Sequence, residues 1–156
     1  MTLTEFLEEK AKDEVARERW RLREEWVGSV NRLIGQFQVW LREADTPGVL
    51  TTWMEEIEIV EERIGAYRVP MLHIRLTGTE VKVIPVASSA VGTIREGEGA
   101  GEKRRGRVDA ITPGMRFIMY RTVRNDEEIW YAVDEHHHST LLDKSRFQAI
   151  MLELLS

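Results

Sequence analysis

Residues 26–48, WVGSVNRLIGQFQVWLREADTPG, contain the change of pattern that decides the fold. Apolar side chains recur in this stretch at steps of four, three, four and three: Trp26, Val30, Leu33, Phe37 and Trp40. That spacing predicts a helix with one buried stripe. The Asp-Thr-Pro-Gly cluster at 45–48 favours a turn, and beyond it apolar residues alternate with polar ones. The stretch therefore predicts a boundary between helical and strand structure.

The chain before this boundary has the composition of a long helix. From Thr2 to about Ala44 it contains no proline and consists mostly of good helix formers. Thr2 or Thr4 is a suitable N-cap, and the acidic side chains that follow suit the positive end of the helix dipole. The sequence therefore predicts an N-terminal helical arm over residues 1–45. Its first half is rich in charged pairs and is expected to be solvated.

The chain after the boundary predicts a mainly antiparallel sheet and a closing helix. About six strands in two meanders are expected, within 56–59, 69–76, 81–86, 108–111, 116–123 and 129–133. The last apolar residues return to helical spacing, with Asp143 as N-cap or Ser145 and Gln148 as a capping box. The predicted fold class is α+β, in which the arm and residues 49–156 form one structural domain.

Composition and charge narrow the function. With 42% hydrophobic and 31% charged residues the chain is expected to fold, and without cysteine it has no thiolate site or disulfide. The net charge of −5 disfavours nucleic acid and anionic lipid as partners. The acidic N-terminus is unlike a signal peptide, and no run of about 18 apolar residues occurs. These features predict a cytoplasmic protein with no membrane contact.

A run of polar residues after the last predicted strand is the first candidate for chemistry. Asp134, His136 and His138 alternate there, and on an extended strand their side chains point to one face. Imidazole and carboxylate groups bind zinc, manganese and iron. The interpretation preferred from the sequence is a polar turn leading into the last helix, and a metal site formed by these three residues is the alternative. His73 interrupts an apolar strand, where a solvated or cross-strand-paired histidine is expected instead of a catalytic base.

The segment 93–107, TIREGEGAGEKRRGR, is a second candidate. Glycine-rich basic loops can hold phosphate, but this segment lacks the P-loop order of residues. Between 95 and 107, five basic and three acidic side chains leave an excess of two positive charges. A flexible loop that contacts a protein partner through Arg104 and Arg105 is the favoured interpretation. Ser88 and Ser89 lack a nucleophile-elbow motif and are expected to end a strand.

Tryptophans mark the third candidate surface. Trp20, Trp26 and Trp40 lie in the helical arm, and large aromatic residues are enriched where proteins bind each other. Trp26 and Trp40 also fit burial against the sheet. Trp20, in the polar half of the arm, is the best candidate for an intermolecular contact.

Three functional hypotheses remain from the sequence. The preferred one is a non-enzymatic interaction or accessory subunit, whose helical arm binds another protein or a second copy to give a homo-oligomer. The second is a metal-dependent hydrolase or nuclease that uses the cluster at 134–138. The third is a small acidic chaperone-like protein that binds a client by strand addition. No catalytic residue is identified, and no cofactor is expected.

Overall fold

A computed structural model describes residues 1–156 and begins with one continuous helix. Helix α1 spans Leu3–Ala44. Thr2 is its N-cap: the Thr2 hydroxyl accepts a hydrogen bond from the Glu5 amide, and the Glu5 carboxylate accepts one from the Thr2 amide. The helix ends at Asp45, whose carboxylate accepts hydrogen bonds from the amides of Val49 and Leu50. Local hydrogen bonds therefore define both ends of α1.

The two halves of α1 have different surroundings. All side chains from residue 1 to residue 21 are exposed, whereas the second half carries the buried stripe of Trp26, Val30, Leu33, Ile34, Phe37 and Leu41. The predicted helix is confirmed, and it is one helix. Because its second half belongs to the same core as the sheet, the arm is not a separate structural layer.

The sheet has eight strands, two more than expected. Their bounds are β1 Thr51–Glu61, β2 Gly65–Leu76, β3 Thr79–Ala87, β4 Glu96–Gly97, β5 Gly106–Thr112, β6 Met115–Arg124, β7 Glu127–Val133 and β8 His138–Leu141. The spatial order is β1-β2-β3-β5-β6-β7-β8-β4. All neighbours are antiparallel except β4 and β8. The six predicted strands are all present, and the mainly antiparallel α+β class is confirmed.

Tight turns set the register of the sheet. Asn125 and Asp126, both at positive φ, connect β6 to β7 in a two-residue hairpin. Such left-handed turns match the right-handed twist of paired strands. β1 and β2 form a longer hairpin that runs from the pair Thr51–Arg75 to the pair Glu61–Gly65. Residues 125–126 therefore form the tight turn between two of the predicted strands.

One hydrophobic core joins the helices to the sheet. Helix α2 spans Lys144–Leu155, and its N-cap Asp143 accepts a hydrogen bond from the Arg146 amide. The ring of Phe147 on α2 stacks on Phe37 of α1 with centroids 4.2 Å apart. The core between these helices and the strands contains 24 buried residues. No helix is both long and apolar enough to span a membrane.

Candidate functional site

The first half of α1 projects from the core and carries apolar side chains into solvent. We call residues 3–21 the projecting segment. Its exposed apolar residues are Leu3, Phe6, Leu7, Val15 and Trp20, with exposed fractions from 44% to 72%. At about 1.5 Å per residue the segment is roughly 28 Å long. Trp20, one of the residues predicted to contact a partner, is thus exposed on a surface that the core does not need.

Two arginines fix the base of the projecting segment to the turn between β1 and β2. Arg19 donates a hydrogen bond to the carbonyl oxygen of Glu62 at 3.2 Å, and Arg23 donates one to that of Ile64 at 3.0 Å. Neither guanidinium forms an ion pair with a carboxylate, whereas Arg17 pairs with Glu14 within the helix. Arg19 and Arg23 therefore set the direction of the segment and keep an uncompensated positive charge.

A cleft of about 310 Å³ opens beside this base. It lies between α1, the residues after β3 and the residues before β5. We call it the basic cleft, and its cationic lining consists of Arg63, Lys103, Arg104, Arg105 and Arg121. Ser88 and Ser89 also line the cleft. The structure thus brings the predicted residues Arg104 and Arg105 together with distant residues that sequence analysis did not connect with them.

Among these cations only Arg121 is neutralised. It is 8% exposed and pairs with Glu25 at 3.2 Å and with Glu128 at 3.0 Å. Burial opposes ionisation of Glu128, but hydrogen bonds from Ser29, Arg32 and Arg121 outweigh it and hold the pKa of this carboxyl below its usual range. Arg121 therefore lines the cleft, but Glu25 and Glu128 already balance its charge.

Arg104 is held in a fixed orientation. Its guanidinium lies over the ring of Tyr120, 4.4 Å from the centroid, which is a favourable cation–π geometry. The Arg104 amide donates a hydrogen bond to Gly92, and the Arg105 amide donates one to Arg121. Hydrogen bonds thus hold the backbone in a segment predicted to be a flexible loop, and buried Ile94 anchors it to the body.

A polar network supports the opposite side of the cleft. The carboxylate of Glu61 accepts hydrogen bonds from both the amide and the hydroxyl of Ser88. Arg63 donates to the same hydroxyl at 3.3 Å. The hydroxyl of Tyr67 accepts a hydrogen bond from Trp26 and donates one to Glu61. Burial and the neighbouring Glu61 carboxylate raise the pKa of Tyr67, so this phenol stays protonated.

The tryptophans of the arm divide between core and surface. Trp26 is 2% exposed, and Trp40 is half-buried and packs on Phe37 and Phe147. Both occupy the positions expected from the buried-stripe interpretation. Of the three tryptophans predicted as partner contacts, Trp20 is the one that lies open to solvent, with 56% of its surface exposed.

His73 lies at the centre of a separate cluster. Its ring nitrogens are 2.8 Å from Glu80 and 3.0 Å from Glu55, on the two neighbouring strands. The ring of Trp53 stacks on the imidazole at 4.7 Å. The cross-strand pairing expected for His73 is confirmed. Since both ring nitrogens are already hydrogen-bonded, neither is free to bind a ligand. The cluster connects β1, β2 and β3 through their side chains.

Residues 134–137 form a turn instead of an extended strand, and β8 begins at His138. The carboxylate of Asp134 accepts hydrogen bonds from the amides of His136 at 2.9 Å and His138 at 3.0 Å. His137 takes a positive φ, which breaks the alternation on which the metal hypothesis depended. No three histidine, aspartate or glutamate side chains in the structure form a group that could hold a metal ion. Metal binding by Asp134, His136 and His138 stays a prediction.

Comparison of the chain with protein-family models, curated proteins and solved structures gives no match. The projecting segment and the basic cleft are therefore the two surfaces from which a function can be proposed.

Proposed function

We propose that the protein is a non-enzymatic interaction or accessory subunit that forms a homodimer through its projecting segment. The observation that carries the proposal is the continued helix over residues 3–21, where every side chain is exposed. Most of the stability of a helix in a protein comes from packing of its apolar face, and this segment has no such packing within the chain. A partner helix would stabilise the segment by covering its apolar side chains.

The apolar side chains form a ridge that another helix can pack against. Leu3, Leu7, Ala11 and Val15 follow one another at steps of four, so their side chains lie along one i±4 row. Ala11 and Val15 border a shallow apolar depression on this surface. Small residues at the centre of a ridge allow two helix axes to approach each other closely. This surface supports a helix as the partner.

The charge distribution favours a second copy in the antiparallel orientation. Residues 3–9 carry three acidic side chains and no basic one, whereas residues 17–23 carry four arginines and one glutamate. An antiparallel pair places the acidic end of each copy beside the basic end of the other. A parallel pair would place like charges together, which destabilises helix pairs. Glu8 and Glu9 have no ion pair within the chain, and Arg19 and Arg23 supply complementary charges.

The first test is the molar mass of the full-length protein, measured by light scattering after size exclusion. We expect a dimer for the native chain and a monomer for the double variant Leu7→Lys, Val15→Lys. Dimerisation of this variant would bury two lysine charges from each copy between the apolar ridges of the two copies. Val91→Lys is the matched control, since Val91 is 94% exposed on the body. A monomeric native protein, or ridge variants that dimerise normally, would contradict the proposal.

A charge exchange tests the orientation. Variant Glu8→Arg, Glu9→Arg and variant Arg19→Glu, Arg23→Glu each place like charges together in an antiparallel homodimer. We expect each variant alone to be monomeric and their mixture to form a heterodimer, in which every end pair is again opposite in sign. Circular dichroism melts show whether Arg19→Glu, Arg23→Glu keeps the fold. Failure of the mixture of two folded variants to associate would rule out this charge pairing.

A further inference from the structure

We infer that the basic cleft binds the phosphate group of a small phosphate monoester. The inference uses residues of the body and is independent of dimerisation through the projecting segment. It assigns a ligand site to Arg63, Lys103, Arg104 and Arg105, with Arg121 as a structural wall.

The first observation is the charge. Arg63, Lys103, Arg104 and Arg105 form no ion pair with a carboxylate, although acidic residues outnumber basic ones by 27 to 22 in the chain. Four cations around one cleft repel each other, and carboxylates are plentiful enough to have neutralised them. An anionic ligand would remove this repulsion, since charges in a concave site interact more strongly than on an open surface.

The second observation is that two of the cations are held in place before any ligand arrives. Tyr120 fixes the plane of the Arg104 guanidinium, and the Nε atom of Arg104 is buried without a hydrogen-bond partner. Such unsatisfied buried donors are rare. On the facing wall, Ser88 holds the Arg63 guanidinium, and Glu61 holds Ser88. A site with fixed donors loses less conformational entropy when a ligand binds.

The third observation selects the ligand class. A phosphate monoester carries about −1.5 to −2 charges at neutral pH and three acceptor oxygens, which suits several separate cations better than a carboxylate does. The volume of 310 Å³ is at the lower end for small-molecule sites. Leu22 and Ala90 provide apolar surface for a short organic group. Glu25 at the edge and the net charge of −5 oppose a long polyanion.

The test is isothermal titration calorimetry of the full-length protein with inorganic phosphate and with glycerol 3-phosphate, using glycerol as the uncharged control. We expect saturable binding of both phosphates, one per chain, and no binding of glycerol. Arg104→Gln combined with Arg105→Gln should weaken binding at least about tenfold, equivalent to about 1.4 kcal/mol. The matched control is Arg95→Gln, which removes a charge from the same segment outside the cleft and should change affinity less than about twofold.

Lys103→Gln and Arg63→Gln provide a second pair of variants, because both side chains are exposed and their replacement leaves the core intact. Thermal melts establish that each variant is folded, and each should weaken phosphate binding. Three results would overturn the inference. The first is that neither phosphate shows saturable binding, and the second is that Arg95→Gln weakens phosphate binding as much as Arg104→Gln with Arg105→Gln does. The third is that a ten-nucleotide oligothymidylate binds more than about tenfold tighter than glycerol 3-phosphate, which would indicate a surface for single-stranded nucleic acid.

Discussion

Gly106 leaves room for Trp26: a β-carbon at position 106 would lie 2.1 Å from Cζ3 of the Trp26 ring. The two residues are 80 positions apart, and their contact brings the start of β5 against α1. No side chain can enter this space unless the indole or the backbone moves. The basic cleft therefore depends on a glycine whose role is purely steric.

Gly106→Ala should destabilise the protein by about 2 kcal/mol, because overpacking a buried site forces side chains from their preferred rotamers. Urea denaturation followed by tryptophan fluorescence measures the change. Gly35→Ala is a control for which the change in stability should have the opposite sign. Gly35 lies in the middle of α1, and a β-carbon there would have no other atom within 4 Å. This substitution should stabilise the protein by up to about 1 kcal/mol. A neutral Gly106→Ala would show that this contact is not tight.

The sequence predicted the elements whose patterns are long enough to repeat. The stripe from Trp26 to Trp40 indicated the buried half of α1, and Asp143 indicated the start of α2. β4 and β8, with two and four residues, are too short to show alternation. They exist because β8 pairs with β7 and β4 pairs with β8, and this long-range pairing is a tertiary property.

The basic cleft was only partly visible in the sequence. Arg104 and Arg105 could be predicted as contact residues because they lie in a local run of basic residues. Arg63, Ser88 and Arg121 come from three other segments, each unremarkable in composition. Only the sheet order, which places β5 between β3 and β6, brings these segments together. Local sequence patterns do not predict which distant strands pair with each other.

Glu128 should make stability fall in acid. Because its folded pKa is depressed, the ionised group contributes stability that is fully present above its ordinary pKa, and that contribution is lost as pH falls through the folded value. We expect Glu128→Gln to cost about 2 kcal/mol at pH 7, since Arg121 loses a charged hydrogen bond. Its loss of stability between pH 5 and 3 should be shallower than that of the native protein.

The neighbouring Glu127 is the control for this measurement. It is exposed and forms no side-chain hydrogen bond, so Glu127→Gln should leave the stability at pH 7 almost unchanged. Urea midpoints at several pH values provide the stability of each protein and its dependence on pH. If Glu128→Gln and the native protein lose stability in parallel below pH 5, the depressed pKa of Glu128 is not the cause.

His73 should control the ionisation of Glu80. The hydrogen bond from His73, opposed in part by burial and assisted by Arg75, holds the pKa of Glu80 below its usual range. His73→Leu removes this bond and should move the Glu80 pKa upward. Carboxyl chemical shifts followed by NMR during an acid titration measure it.

Asp134 should stabilise its turn without a metal. Its carboxylate accepts hydrogen bonds from two backbone amides, so Asp134→Ala should cost about 1 kcal/mol in metal-free buffer, and Asp134→Asn less. Thermal melts with a chelator measure this. Repeating them with zinc tests the metal hypothesis: it requires a zinc-dependent rise in melting temperature that disappears in both Asp134→Ala and His136→Ala.

Hydrogen exchange should separate the two halves of α1. Residues 26–41 pack in the core, so their amides should exchange only when the protein unfolds globally. Residues 3–18 have no core contacts, and in a monomer their amides should exchange through local fraying. If two projecting segments pair, protection of residues 3–18 must rise with protein concentration, because dimerisation favours the helical state by mass action. Protection that is weak at every concentration would leave the segment a solvated helix and remove the basis for the dimer.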